Sequence, residues 1–199
     1  MSKKSKKVAR PSAENPQKAA NWKAFYEELQ KETPRGAVLL GAAFLDEHLR
    51  QLIEVFLIDS KSVVGKFLEG ENAPLGTFSA RIQATYCMGL ISEEEFRDLN
   101  IIRGIRNQFA HSLHGLSLAD SWIINQCEQL TYPRKLDFST KLSPGDSLLI
   151  TIALIASWIR LRALGIESKQ ERREIMPNVK VVEHIKVGFP TDDKGQSNN

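Results

Sequence analysis

Along most of the chain apolar residues recur at three- and four-residue steps, the spacing of one buried helix face. Val38, Ala42, Leu45, Leu49, Leu52 and Phe56 show it best. They predict a helix from Pro34 to about Ile58, with Glu47, Arg50, Gln51 and Glu54 on its outer face. An earlier helix is expected from Pro16 to Glu32, with proline in its first turn and Trp22, Phe25 and Leu29 on one side. A short helix follows at Ser62–Leu68, closed by Gly70. Thr77 caps the next, whose stripe is Phe78, Ile82, Thr85/Tyr86 and Gly89. Ser92 and Glu95 then form an S-x-x-E capping box. The helix they open should run from about Glu93 to Leu113 and bury Phe96, Leu99, Ile102, Ile105, Phe109 and Leu113. A shorter helix is predicted over Leu118–Leu130. Ser143 and Pro144 supply the cap and first position of a helix ended by Gly165. It is apolar on most sides up to Ile159, so it should be the central buried helix.

The breaks between these periods are equally legible. "EGENAPLG" (69–76) is a loop by its Gly, Asn and Pro, and "TYPRKLDFSTKLSPGD" (131–146) reads as one until Ser143. "VKVVEHIKV" (179–187) alternates imperfectly and could form a short strand, with Tyr132–Phe138 as its partner. The fold class is all-α, a multi-helix bundle with at most a minor short β element near the C-terminus. One helical domain is expected over 16–189, flanked by a basic arm (1–15) and a tail (190–199).

Charge changes this picture at one end. The 199 residues carry a formal net charge of +3. Lys3, Lys4, Lys6, Lys7 and Arg10 put +5 on the first ten residues, and Asp192, Asp193 and Lys194 put −1 on the last ten. The body between them is left at −1, unlike a broad DNA-binding surface. Cys87 and Cys127 belong to no CxxC pair, which argues against a zinc site or disulfide scaffold. Both sit in apolar surroundings and are expected as buried free thiols. No cofactor and no metal site is predicted. The longest apolar run, Leu148–Ile159, falls short of the roughly 20 residues that cross a bilayer, and the basic N-terminus lacks an apolar signal core. A cytoplasmic protein with no membrane partner is expected.

The candidate chemistry lies in "RGIRNQFAHSLHG" (103–115). Residues four apart on a helix differ by about 40° around its axis. Arg103, Asn107 and His111 therefore form a polar ridge beside the apolar stripe, and Arg106 lies about 140° from His111. Arginine can hold a phosphate through two parallel hydrogen bonds, histidine can move a proton near neutral pH, and asparagine can orient either. The set Arg106, Asn107 and His111 suits metal-free RNA cleavage, with Arg103 and Arg81 as phosphate-binding or supporting residues. One copy offers one clear base, so a homodimer would bring a second. The structural alternative is a surface arginine and a histidine held by a backbone carbonyl, with Arg81 paired to Asp46 or Glu47.

Arg106-Asn107-x-x-x-His111 resembles the R-x4–6-H motif of HEPN-domain proteins. That resemblance implies a dimeric helical bundle and a metal-independent endoribonuclease, toxin or defence effector. A second resemblance covers more of the chain, roughly 35–158. "FLEGENAPLGTFSARIQATYCMGLIS" (67–92), followed by "IRGIRNQFAH", is similar to the mannitol operon repressor family. Pro74-Leu75-Gly76, then Ser79, Arg81 and Ile82, then Tyr86, Gly89, Leu90 and Ile91 carry it most specifically. It implies an all-helical regulator of transcription without a helix-turn-helix, acting through a protein partner or weak DNA contacts.

The charge distribution makes one expectation testable at once. The full chain should bind DNA weakly and with steep salt dependence, because only the arm offers clustered phosphate contacts. Deleting residues 1–10 should abolish the mobility shift, and nanomolar sequence-selective binding by the truncated protein would contradict the charge argument.

Overall fold

The structure, a computed structural model, describes residues 22–70, 72–112, 115–135 and 142–166. The arm, the tail, the expected strand at 179–187, the start of the first helix, and Leu113, His114 and His184 lie outside the described residues. Within them the fold is all-α. The helices are α1 (Trp22–Leu29), α2 (Pro34–Phe56), α3 (Lys61–Leu68), α4 (Phe78–Cys87), α5 (Glu93–His111), α6 (Ser121–Cys127), α7 (Tyr132–Lys135) and α8 (Pro144–Gly165).

The long helices begin where their caps demand. Thr33 accepts from the amide of Gly36 at 3.0 Å ahead of Pro34. Ser143 accepts from the amide of Asp146 at 3.0 Å ahead of Pro144. Ser92 and Glu95 close the expected capping box on α5, at 3.2 and 2.8 Å. Each cap occupies an amide that the first helical turn leaves unpaired.

Three features differ from expectation. The helix predicted over Leu118–Leu130 is shortened to Ser121–Cys127. Asp120 takes the amide of Ser117 at 2.7 Å, and this local turn competes with helix at that end. The stretch read as a loop, and as a strand partner, begins instead with the single turn α7. The Asp98 carboxylate on α5 accepts the amides of Thr131 at 3.0 Å and Tyr132 at 3.4 Å, so a residue over thirty positions away caps that turn. Cys87 is exposed at the end of α4 and not buried, whereas Cys127 is buried as expected.

Helix α8 forms the centre. Leu148, Ile152, Ala153, Ile155 and Ile159 are fully buried, and it packs on α1, α2, α5, α6 and α7. Its 22 residues, with a mean hydropathy of 1.7 over the most apolar stretch, would be long and apolar enough to cross a bilayer, which the shorter run Leu148–Ile159 had not suggested. Here that surface is spent on the core. Helix α2 runs parallel to it: Gly41 lies on Ile152, and His48 senses the charge of Arg160 one to two turns further along both. A Cβ on Gly41 would stand 2.9 Å from Ile152 Cγ2, too close without a shift of α8. Helix α5 runs antiparallel to both, placing Arg35 beside Ser112 and Glu95 beside Arg162.

Leu99, Ile102, Ile105 and Phe109 of α5 are buried as the periodicity predicts, whereas Phe96 is half-buried and stacks on exposed Tyr86. Helix α1 lays Phe25 on Phe44, and Phe44 on His48. His48 is itself buried, with Nδ1 donating to the Phe44 carbonyl at 2.8 Å. That bond requires a proton on Nδ1, because a carbonyl can only accept.

Two outcomes follow. Phe109→Ala should cost about 3–5 kcal/mol by opening a cavity in the core, read from denaturant unfolding. His48, chiefly by desolvation, has its folded-state pKa pushed below the ordinary histidine value. The unfolded chain then takes up a proton that the folded chain refuses, so stability should fall as pH drops below about 6.5. Thermal midpoints between pH 8 and 5 should show that slope, and His48→Gln should flatten it.

Candidate functional site

The ridge of α5 exists because the core stripe leaves the opposite side of the helix free. Arg106 and His111 are exposed, and Arg103 and Asn107 are half-buried. Arg106 Nη1 donates to Asn107 Oδ1 at 3.0 Å, so these two expected site residues are brought into contact with each other. Arg103 keeps its Nε buried and without a hydrogen-bond partner. Arg35, at the start of α2, reaches the Ser112 carbonyl at 3.4 Å and brings a further positive charge next to His111. None of the ion pairs among the described residues involves Arg35, Arg103, Arg106 or His111. Three turns of α5 thus present an uncompensated basic surface.

Arg81 has a different position. It is buried, with Nη1 on Asp46 at 2.8 Å, Nε on the Leu75 carbonyl at 2.9 Å and Nη2 on the Leu68 carbonyl at 3.0 Å. The guanidinium ties the loop after α3 to both α2 and α4. Leu75 returns its amide to Phe67 at 2.9 Å, and a side chain on Gly76 would meet the Gly70 and Ala73 carbonyls at 3.0 and 3.1 Å. Pro74-Leu75-Gly76 and Arg81, the most specific part of the second resemblance, are therefore the two halves of one clamp. The supporting role given to Arg81 beside the phosphate is taken up by this loop and Asp46.

Two buried carboxylates on α5 escaped the sequence reading. Glu95 is fully buried; besides its cap, Oε1 lies 2.8 Å from Arg162 Nη2, off the hydrogen-bond axis. Asp98 is also fully buried, and burial raises its carboxyl above the usual range against the pull of the Thr131 and Tyr132 amides. Tyr132 packs edge-on against Trp158 and is pushed well up by burial and by the Glu95 charge. The only available signal was the capping-box glutamate; its burial depends on α8, which no local pattern reveals.

Two cavities open between helices. One lies where α2 and α8 begin; the other runs between α5 and α6, along Arg97, Asn100, Ile101 and Gln126. Neither is lined by Arg103, Arg106, Asn107 or His111.

The comparisons with known proteins agree with this architecture. Two curated relatives, both mannitol operon repressors, come from Escherichia coli strain K12 and from E. coli O6:H1 strain CFT073. Each is 25% identical over 127 residues, covering 62% of this chain and 65% of the relative. The chain therefore spans just under two thirds of the length of the curated relatives it matches. The X-ray structure of the MtlR–HPr complex from E. coli contains a chain that superposes with a TM-score of 0.57 at 20% identity, over 70% of this chain and 98% of that one, which shows the shared fold. Residues 23–176 match the family described as mannitol repressor, and the chain belongs to that family.

Proposed function

We propose that the protein is a regulatory binding module that acts in transcriptional repression through a protein partner, with the basic face of α5 as the contact surface. The observation that carries this is the display of Arg103 and Arg106 on α5, joined by Arg35, with no carboxylate paired to them among the described residues. Exposed arginine is among the residues that anchor protein interfaces, and unpaired positive charge selects an acidic partner surface and speeds encounter. The structural relative is held in a complex with HPr, which supports a protein partner. On this reading the protein works in the cytoplasm, forms a homodimer, and touches DNA only through its arm.

A second reading draws on one observation. Arg106 and His111 are both exposed and five residues apart, so a phosphate and a 2′-hydroxyl could reach them. This is the metal-independent endoribonuclease, with Arg106 holding the phosphate, Asn107 keeping the geometry and His111 transferring the proton.

One set of variants separates the two. Titration against the HPr of the source organism should give saturable binding that weakens on adding salt. Arg103→Glu with Arg106→Glu should weaken it at least tenfold, about 1.4 kcal/mol, while His111→Ala changes it little. In the nuclease reading His111→Ala would instead remove RNA cleavage by a factor of about 10² or more, insensitive to EDTA. Unchanged HPr binding by the double charge reversal, together with cleavage lost in His111→Ala, would overturn the first reading in favour of the second.

A further inference from the structure

Where α2 and α8 begin, the helices leave a cavity of about 690 Å³. That lies within the range of about 300–1,000 Å³ usual for small-molecule sites. Leu29, Ala37, Ile124 and Leu149 supply apolar walls. The polar side chains that line it among the described residues are Gln30, Glu32, Ser143 and Asp146, with no described lysine, arginine or histidine.

The hydrogen bonds around the cavity decide what it could hold. Asp146 accepts from the Tyr26 hydroxyl at 2.9 Å and the Ser143 hydroxyl at 2.6 Å. An ionised carboxylate has about four acceptor positions, so it can take more. Burial, with the hydrogen bond to Asp146 next, pushes Tyr26 up to about 12, so the phenol keeps its proton and remains a donor to Asp146. Gln30 gives its amide nitrogen to the same hydroxyl at 2.8 Å.

The two helix N-termini that open here would ordinarily favour an anion. Both are partly served. Each starts with a proline, which has no N–H, and each has its third-position amide capped, Gly36 by Thr33 and Asp146 by Ser143. The neighbouring Arg35 turns away to Ser112. The described lining thus offers acceptors and two carboxylates, Glu32 and Asp146, around an apolar interior.

The geometry points to a binding site for a small organic cation with an apolar body, an alkyl or arylalkyl amine, its ammonium toward Glu32 and Asp146 and its body against Leu29, Ile124 and Leu149. This site is separate from the α5 face, and its binding is measured on the protein alone, without HPr or nucleic acid.

The test is calorimetric or NMR titration of the full chain at pH 7 with phenethylamine, and with phenylacetate, which is of similar size and opposite charge. The amine should saturate and bind about tenfold more tightly than the acid. Ala119→Phe fills the cavity from an exposed wall position and should abolish amine binding while the helical circular dichroism is retained. Glu32→Gln, at another exposed position, should weaken the amine by up to about fivefold and leave phenylacetate no weaker. Absence of saturable amine binding, phenylacetate binding as tightly as the amine, or an unaffected Ala119→Phe variant would overturn the assignment.

Discussion

The contact between Gly41 and Ile152 sets the distance at which α2 and α8 pack. With no side chain on Gly41, the backbone of α2 settles onto the Ile152 methyls, and any Cβ would force the helices apart. Interiors pack at close to crystal density, so such a displacement would be felt across the bundle. Leu29 of α1 lies 3.7 Å from the same point, so the α1 hairpin depends on it too. Because α2 and α8 are parallel, their two capped N-termini emerge at one end. The acidic cavity lies between them.

Helix α5 joins the other two in the opposite sense and is held at both ends by polar contacts. Glu95 meets Arg162 near the end of α8, and Arg35 at the start of α2 meets the Ser112 carbonyl. The buried charge of Glu95 is supported by its own capping box, since an unpaired carboxylate there would be costly. With its apolar stripe fixed inward, the polar ridge has to face out. Pro34 lines the acidic cavity and Arg35 reaches toward the basic ridge, so the sign of the surface changes within two adjacent residues. Two features of opposite charge therefore meet at the start of α2.

Arg81 shows how a residue type can suggest more than one role. An arginine near a polar helix could serve a phosphate, and the same fork matches a carboxylate and two carbonyls equally well. Its three bonds to Asp46, Leu75 and Leu68 explain why the P-L-G turn and the arginine occur together in the part of the sequence most like the family.

The sequence by itself determined the elements whose information is local. The 3.6-residue stripes of α2 and α5, the caps Thr33, Ser92 and Ser143, the first-position prolines and the all-round apolarity of α8 mark helices without help from the rest of the chain. It also placed Arg103, Asn107 and His111 on one ridge, because their spacing is a property of the helix alone. Only tertiary structure decided what depends on distant partners. The turn α7 forms because Asp98 offers its carboxylate to amides more than thirty residues away. Glu95 is buried because α8 covers it, and Cys87 is exposed because no described residue covers the end of α4. The cavity between α2 and α8 arises from the parallel pairing of two helices more than a hundred residues apart in the chain. Hydrophobic periodicity records which face of a helix is buried, and it carries no record of which helix buries it or what the two enclose.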